Sequence, residues 1–348
     1  MYEVTIAIAS YNVGQYIEQC LVSVLNQDFE ELEILICDDC STDNTLEIAE
    51  RVSNGHPKAN HVRIIRGEKN MGTAAIRNIG IDNAKGKYLL FLDGDDYLPK
   101  DAVSVLYKQM QETQADLVMG NHTKFEDGVA FSSDNKPLLT YGPFYKSELI
   151  DCPYALAEWM RRINSDYYPV ALWNKLFKKS FLLQNQIRCI PSHKIIDDIY
   201  FAFQTIIKVH SVAVVDKVTL YFRNRAGSAT HIDVREDRME IYMDIFDQII
   251  NDIEKLKKQR DVIPIQLYYV LTNRYLSGFV IKNILNSKLL STIQKKEFLN
   301  HISIITRMGL RRNDMIGPFN KVCFTALSSR YRYLLMKMVF WLRKKNII

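Results

Sequence analysis

Residues 87–96 read KYLLFLDGDD, an apolar run that predicts a buried β-strand and ends in three aspartates. Three further strand-like runs precede it: VTIAIAS (4–10), LEILICDD (32–39) and VRIIR (62–66). The segments between them predict helices over about residues 15–26, from Ser41 to about 53, and after Gly72. Near-continuous apolar strands that alternate with helices indicate a mainly parallel sheet covered on both faces. The predicted fold class is therefore α/β.

Polar residues collect where these strands end. The four ends read Ala9-Ser10-Tyr11-Asn12, Asp38-Asp39, Arg66 to Asn70, and Asp93 to Asp96. Ligands of parallel sheets bind outside the carboxyl ends of the strands. The sequence therefore predicts a binding site at this edge of the sheet.

Asp93 and Asp95 predict a metal site within that edge. Alternate side chains of an extended strand share a face, so these two carboxylates point the same way. Hard divalent cations such as Mg²⁺ and Mn²⁺ prefer oxygen ligands of this kind. An acidic turn that caps a helix near residue 99 would also explain an isolated Asp-x-Asp, but not the polar ends of the other strands.

The rest of the chain divides into two further parts. Residues 101–230 form a mixed segment, and residues 231–348 are dominated by helical periodicity. The mixed segment predicts helices over 99–110, 147–162, 178–186 and 195–209, strands over 115–121 and 212–223, and a hairpin or loop over 122–145.

Composition and charge limit the class of protein. The chain has 348 residues, 47% hydrophobic, and no apolar run near the roughly 20 residues that span a bilayer. Six scattered cysteines in a chain of this length indicate a reduced, cytoplasmic protein. Residues 1–100 hold 9 lysines and arginines against 16 acidic residues, and residues 251–348 hold 19 against 5. The acidic part suits a cation site, and the basic part suits phosphates of lipids or nucleic acid.

Four segments carry a resemblance to a known family: ASYNVGQYIEQCLVSVLNQ, LEILICDDCSTDNT, GEKNMGTAAIRNIGI and GKYLLFLDGDDYL. In order and spacing, residues 5–98 closely resemble a family 2 glycosyltransferase of the bacterial polysaccharide-biosynthesis type. Looser similarity extends to about residue 225, through ALWNKLFKKSFL (171–182) and IIDDIYF (195–201). The resemblance implies the GT-A fold. This chain departs from the family at Ala9, where many members have Pro, and at Asp197, where most have Glu.

The resemblance implies a site for a UDP-sugar. Tyr11 would stack on or flank the uracil, and Asp39 would accept a hydrogen bond from its N3–H. Asn70 and Arg77 would contact the base and the nucleotide. Ala9 and Gly94 would also belong to the nucleotide site.

The resemblance also implies a metal cofactor, Mn²⁺ or Mg²⁺. Asp93 would bind the ribose or the metal's water shell, and Asp95 would ligate the metal that bridges the two phosphates. Arg223, Arg225 and His231 lie in a segment that resembles one closing over the diphosphate, and His231 would add a metal ligand there. A surface loop explains this segment as well.

Asp198, with Asp197 beside it, is the candidate general base. An inverting transfer needs a carboxylate that removes the proton of the acceptor hydroxyl. Neighbouring residues of a helix point about 100° apart, so one of the two faces the site. The resemblance selects Asp198, while a simpler alternative is that both are first-turn carboxylates favoured by the helix dipole.

The predicted function is an inverting glycosyltransferase that moves a sugar from a UDP-sugar to a polysaccharide or a lipid-linked oligosaccharide. The alternatives are an inactive nucleotide-sugar-binding module and a sugar-nucleotide nucleotidyltransferase. Cys37-Asp38-Asp39-Cys40 is formally C-x-x-C but lacks a thioredoxin-like context. The basic last part accompanies no nucleic-acid-binding module, so nucleic acid is not an expected partner.

The C-terminal segment RYRYLLMKMVFWLRKK (330–345) is basic and amphipathic. It predicts either peripheral contact with the inner face of the plasma membrane or packing of Phe340 and Trp341 in a helical core. The sequence leaves these two alternatives open.

Overall fold

The chain forms two compact units. The computed structural model describes residues 1–128, 140–141, 145–163, 171–193, 198–225, 236–259, 267, 282–303, 322–323, 325–327 and 329–344. The first unit comprises Met1–Leu156 and Pro169–Ala229, and the second comprises Ala157–Tyr168 and Thr230–Ile348. The three-part division at residues 100 and 230 stays a prediction.

The first four strands are those that the sequence predicts. They are β1 (Val4–Ser10), β2 (Leu32–Asp38), β3 (Val62–Arg66) and β4 (Tyr88–Asp93). They lie in the order β3-β2-β1-β4, and all their pairings are parallel. Their carboxyl ends therefore meet at one edge of the sheet.

Helices cover both faces of these strands, as predicted. They are α1 (Ile17–Leu25), α2 (Thr45–Asn54), α3 (Thr73–Asn83) and α4 (Ala102–Thr113). On one face, Ile6 and Ile8 of β1 share a core with Leu21 and Leu106. On the other face, Leu35 and Cys37 of β2 pack against Ile76 of α3. Each fully buried aliphatic side chain contributes about 1.5–3 kcal/mol, so both layers hold the strand ends in place.

The sheet continues through a mixed second half. Its strands are β5 (Leu117–Glu126), β6 (Thr140–Tyr141), β7 (Glu148–Asp151), β8 (Lys175–Lys178) and β9 (Ser211–Asn224). The order runs β4-β8-β5-β9-β7, with β6 paired to β5. Strand β8 is antiparallel to both β4 and β5, whereas β5 and β9 are parallel.

One helix prediction is wrong at its start. The helix expected over 147–162 is a strand, β7, followed by helix α5 (Ala155–Ile163). Residues 148–151 pair with β9 at the edge of the sheet, and this pairing outweighs their local helical spacing. Pro153 then separates strand from helix. Helices α6 (Lys179–Gln184) and α7 (Asp198–Lys208) lie where the sequence predicts helices.

The described part of the second unit is helical beyond residue 235. It contains α8 (Glu236–Gln259), shorter helices over Lys282–Asn286 and Thr292–Ile302, and a terminal helix over Arg332–Lys344. The terminal helix buries Met336 and Val339. Among the described residues, no helix has the length and apolarity needed to cross a membrane.

Candidate active site

Backbone hydrogen bonds join the ends of the parallel strands. The Asp39 N–H donates to the Ser10 carbonyl at 2.9 Å, and the Gly94 N–H donates to the Ala9 carbonyl at 2.9 Å. A side chain at Gly94 would meet Val13 Cγ2 at 3.1 Å. The fold therefore brings Ala9, Asp39 and Gly94 together, and it leaves no spare room beside Gly94.

Tyr11 stands exposed at this edge, with 44% of its surface accessible. The next residue, Asn12, adopts a left-handed backbone with φ of 49°. Its Oδ1 accepts a hydrogen bond from the Thr42 N–H at 2.9 Å, and its own N–H donates to Ser41 Oγ at 3.0 Å. Asn tolerates this conformation better than most residues. The turn holds Tyr11 outside the core, where an aromatic ring is available to a flat ligand.

Asp39 is buried and clamps the start of α3. Its Oδ1 accepts from the Met71 N–H at 2.6 Å, and its Oδ2 accepts from the Gly72 N–H at 2.8 Å. Gly72 has φ of 87°, which favours glycine. The carboxylate therefore shapes the loop that carries Asn70. A carboxylate oxygen has two lone pairs, so its expected contact with a base would share these oxygens with the loop.

Asp93 pairs with Arg77. The Arg77 Nη2 lies 2.9 Å from Asp93 Oδ1, and Arg77 is buried while the Asp93 side chain is 29% exposed. Helix α3 thus places a guanidinium beside the last residue of β4. Two residues that the sequence assigns to the nucleotide are in direct contact.

Asp95 pairs with Arg225, which follows strand β9. The Arg225 Nε donates to Asp95 Oδ2 at 2.6 Å, and the guanidinium lies 5.2 Å from the centre of the Tyr16 ring. Burial disfavours the charge on Arg225, but the hydrogen bond and the charge of Asp95 outweigh it and raise the pKa of Arg225. Asp95 therefore holds a cationic partner already.

Arg223 is a buried arginine behind the Asp95 loop. Its Nε donates to the Asp95 carbonyl at 2.9 Å, its Nη1 pairs with Asp127 at 3.1 Å, and its Nη2 donates to Gln19. The guanidinium lies between two rings, 4.8 Å from Tyr16 and 4.6 Å from Phe125. Its donors are engaged within the protein, so Arg223 acts on the position of the Asp95 loop.

Asp96 is a buried carboxyl group behind this loop. Its Oδ1 accepts from the Arg223 N–H at 2.8 Å, and its Oδ2 has no hydrogen-bond partner within the described residues. Burial, then the charges of Asp95 and Asp93, raise the pKa of Asp96 well above its usual value. Burial thus opposes ionisation of Asp96, which lessens the repulsion among the three aspartates.

Asp198 is the first residue of α7, and its side chain is half-buried. Phe201, one turn later, packs edge-on against Phe91 of β4 and Phe177 of β8, with ring centres 6.0 and 5.7 Å apart. This packing fixes α7 to the strand that carries Asp93. Asp197 and His231 lie outside the described residues, so their predicted roles stay predictions.

Lys175 is a buried cation that the sequence does not single out. Its Nζ donates to the Ala171 carbonyl at 2.6 Å and to Asn174 Oδ1 at 3.1 Å. Burial lowers the pKa of Lys175 to about 7, and the charge of Asp198 opposes that shift. The amine of Lys175 and the carboxylate of Asp198 are thus electrostatically linked.

Three other residues contact Arg223 and are not predicted from the spacing of the sequence. Tyr16 directly precedes α1, Gln19 lies in α1, and Asp127 follows β5. Asp127 reaches Arg223 because Glu126 of β5 pairs with Asn224 of β9. Local patterns do not predict this pairing, because Asp127 and Arg223 are 96 positions apart in the sequence.

The C-x-x-C motif begins with a buried cysteine. All six cysteines of the chain are free. Burial raises the pKa of Cys37 to about 12, which keeps it a thiol at neutral pH. The carboxylate neighbours of the motif, Asp38 and Asp39, instead hold loops at the strand ends.

The carboxylates at this edge suit a divalent cation whose coordination shell is completed by substrate phosphates and water. The described residues contain no cluster of three or more His, Cys, Asp or Glu side chains arranged for a metal. Mg²⁺ is commonly held by one or two carboxylates together with substrate phosphates and waters. Asp95 and Asp93 provide such carboxylates. Each is paired with an arginine in this structure, which shows that its position attracts a cation.

Comparison with known proteins finds a family match over the first part of the chain. Residues 5–166 match the family model described as glycosyl transferase family 2. Glycosyltransferase GlyG of Streptococcus pneumoniae is 35% identical over 36% of this chain, and the chain spans 40% of GlyG's length. The chain therefore covers less than two thirds of such curated relatives. Over residues 5–166, just under half of its length, the chain is thus similar to glycosyl transferase family 2.

Two comparisons cover most of the chain. Poly(ribitol-phosphate) beta-N-acetylglucosaminyltransferase TarP of Staphylococcus aureus is 28% identical over 87% of this chain and 88% of its own. The crystal structure of S. aureus TarS residues 1–349 with UDP-GlcNAc superposes with a TM-score of 0.75 at 21% identity, over 99% of this chain and 92% of that one. This similarity confirms the GT-A fold expected from the sequence.

We predict that Lys175→Met changes stability in a pH-dependent way. The folded protein holds Lys175 with a pKa near 7, below the value of about 10.4 in an unfolded chain. The unfolded state therefore binds more protons between these values, so this lysine's penalty is largest at and below pH 7 and fades towards pH 10. Relative to the native protein, K175M should gain unfolding free energy at pH 6.5 and lose that gain by pH 9.5.

Urea denaturation at both pH values measures this difference. One pKa unit corresponds to about 1.4 kcal/mol, so a change of a few kcal/mol is expected between the two pH values. Loss of the Lys175 hydrogen bonds lowers the unfolding free energy at both pH values, so the change between the two pH values reports the titration. Lys108→Met, on the exposed face of α4, is the matched control and should show no such change. A pH-independent difference for K175M would contradict a buried, neutral lysine.

Proposed function

We propose that the chain catalyses transfer of a sugar from a UDP-sugar to a hydroxyl group of a cell-envelope polysaccharide or its lipid-linked precursor, with inversion at the anomeric carbon. The observation that carries this proposal is the pair of arginine-bound aspartates, Asp93 and Asp95, at the sheet edge beside exposed Tyr11. Such an edge suits an anionic nucleotide and its cation. The name of TarP, an N-acetylglucosaminyltransferase, and the UDP-GlcNAc in the TarS crystal structure support a UDP-sugar donor.

The donor would lie along the ends of β1, β2 and β4. Tyr11 would stack on the uracil, and Asp39 would accept its N3–H while holding the loop with Asn70. Arg77 would contact the nucleotide from α3. Asp93 and Asp95, with His231 beyond the described residues, would hold Mn²⁺ or Mg²⁺. Such a cation would neutralise the negative charge that develops on the departing diphosphate.

Asp198 would act on the acceptor. Its carboxylate would take the proton of the acceptor hydroxyl as that oxygen forms a bond to the anomeric carbon. The bond from the anomeric carbon to the UDP oxygen breaks with its electron pair, and UDP leaves from the opposite face. A position at the N-terminus of α7 favours the charged carboxylate that this step requires.

The terminal helix would rest on an anionic membrane. Leu334, Met338 and Trp341, at spacings of four and three residues, are 66%, 51% and 56% exposed. They lie opposite the buried Met336 and Val339, so the helix packs by one face and presents an apolar second face. Arg330 and Lys337 are exposed, and the sequence contains no Asp or Glu after Asp314. Two copies of this face would repel, whereas anionic head groups would neutralise its charge. The enzyme would then work at the inner face of the plasma membrane.

We predict that Asp95→Asn lowers sugar transfer by orders of magnitude with little change in folding. The amide keeps the shape of the side chain but removes the charge that holds a cation. UDP release from a panel of UDP-sugars with Mn²⁺ is the assay, and circular dichroism checks the fold. EDTA should abolish activity of the native protein, and added Mn²⁺ should restore it. Full activity in EDTA would exclude a metal-dependent transfer.

We predict that Asp198→Asn abolishes transfer while UDP binding stays nearly native. The base would contact the acceptor and not the nucleotide, and general-base catalysis contributes about 10²–10⁴-fold. Transfer rates and calorimetric titration with UDP measure the two effects. Asp82→Asn, an exposed aspartate on α3, is the control and should be active. An inactive Asp197→Asn beside an active D198N would move the base by one residue.

We predict that the triple substitution Leu334→Ser, Met338→Ser and Trp341→Ser abolishes sedimentation with phosphatidylglycerol vesicles. Deletion of the tail is a poorer test, because it also removes buried Met336 and Val339. The matched control is Leu289→Ser with Ile293→Ser, two exposed apolar residues of the same unit, which should still sediment. High salt should release the native protein. Native sedimentation of the triple variant, or its loss of self-association instead, would argue against a lipid-binding face.

A further inference from the structure

Arg225 forms an ion pair with Asp95, the carboxylate that the proposed metal requires. Its Nε lies 2.6 Å from Asp95 Oδ2, and the two side chains are 23% and 18% exposed. An ion pair this enclosed is screened less by water than a surface pair. A divalent cation that binds Asp95 must therefore replace this guanidinium or share a carboxylate with it. Sharing would bring three positive charges to one group.

Arg225 differs from its neighbour Arg223 in how it is held. Arg223 donates to the Asp95 carbonyl, to Asp127 and to Gln19, so its three side-chain donor groups are engaged. For Arg225, the hydrogen bond from Nε to Asp95 is the one that its guanidinium makes within the described part of the chain. The Tyr16 ring supports the flat face of the Arg225 guanidinium at 5.2 Å. Within the described part of the chain, Asp95 is thus the anion that holds the Arg225 guanidinium at the site.

A nucleotide diphosphate offers the alternative partner. Diphosphate oxygens accept hydrogen bonds from guanidinium groups in a bidentate geometry, as carboxylates do. If the cation and the diphosphate arrive together, Arg225 exchanges one anion for another and the charge of the site stays balanced. If the cation arrives alone, Arg225 loses its carboxylate and gains no anion.

We propose that Arg225 is the resident counter-ion of Asp95 and couples metal binding to nucleotide binding, by holding Asp95 until a diphosphate releases it. This inference rests on the proposed function, since it takes Asp95 as the metal ligand. The protein then binds Mn²⁺ alone weakly and binds Mn²⁺ with UDP strongly. Coupling of this kind is reciprocal, so UDP also binds more tightly when Mn²⁺ is present.

Calorimetric titrations test the coupling without any turnover. Mn²⁺ is titrated into native protein and Arg225→Gln, with and without UDP. R225Q should bind Mn²⁺ alone several-fold more tightly than the native protein, because Asp95 is unoccupied. The factor by which UDP improves Mn²⁺ affinity should fall by about tenfold, within the roughly 5–150-fold range of typical coupling. Arg188→Gln, which breaks the Arg188–Asp82 pair at 2.7 Å in the same unit, should behave as native.

Two further variants separate the possible failures. Asp95→Asn should lose Mn²⁺ binding, and native Mn²⁺ affinity in D95N would overturn the proposed metal site itself. If D95N loses Mn²⁺ while R225Q keeps the native affinity and coupling, the role of Arg225 is overturned and the proposed function stands. Arg225→Lys retains the positive charge in case R225Q folds poorly, and it should bind Mn²⁺ alone no more than slightly better than native. Mn²⁺ affinity in R225K above that of R225Q would contradict competition by charge.

Discussion

The buried guanidinium of Arg223 fixes the geometry on which the site depends. It joins α1, the loop after β4 and the segment after β5, through Gln19, the Asp95 carbonyl and Asp127. A buried charge left without partners costs several kcal/mol, so these segments are stable in the arrangement that satisfies it. The aromatic rings on either side exclude water and strengthen each contact. The loop that carries Asp95 is therefore positioned before any ligand binds.

Charge balance is the second constraint on this edge of the sheet. Asp93, Asp95 and Asp96 lie within four residues, and three ionised carboxylates so close would repel. Arg77 neutralises Asp93, Arg225 neutralises Asp95, and burial favours a proton on Asp96. Folding thus pairs two of the three acidic groups with arginines and disfavours the charge on the third. A cation with its anionic nucleotide can replace these internal partners without leaving net charge behind.

The sequence predicts the first half of this arrangement better than the second. Strands β1, β2 and β4 are buried on both faces, so their near-continuous apolar runs identify them and place Asp39, Asp93 and Asp95 at one edge. The pairing of β9 with β5 depends on contacts between distant residues, so the partners Arg223–Asp127 and Arg225–Asp95 are not evident from spacing. Strand β8 (KLFK) is too short to show periodicity, and β7 resembles the helix that follows it. For these reasons Lys175 is found from the structure alone.

Packing around Phe201 relates the candidate base to the candidate metal ligands. Phe91 and Asp93 are two residues apart on β4, so their side chains share one face of the sheet. Phe201 of α7 packs against Phe91 on that face, and Asp198 precedes Phe201 by about one helical turn. The helix that carries Asp198 is therefore anchored on the face that also carries Asp93. A donor held by Asp93 and an acceptor approached by Asp198 would meet on the same side of β4, which is the placement that a direct displacement between them requires.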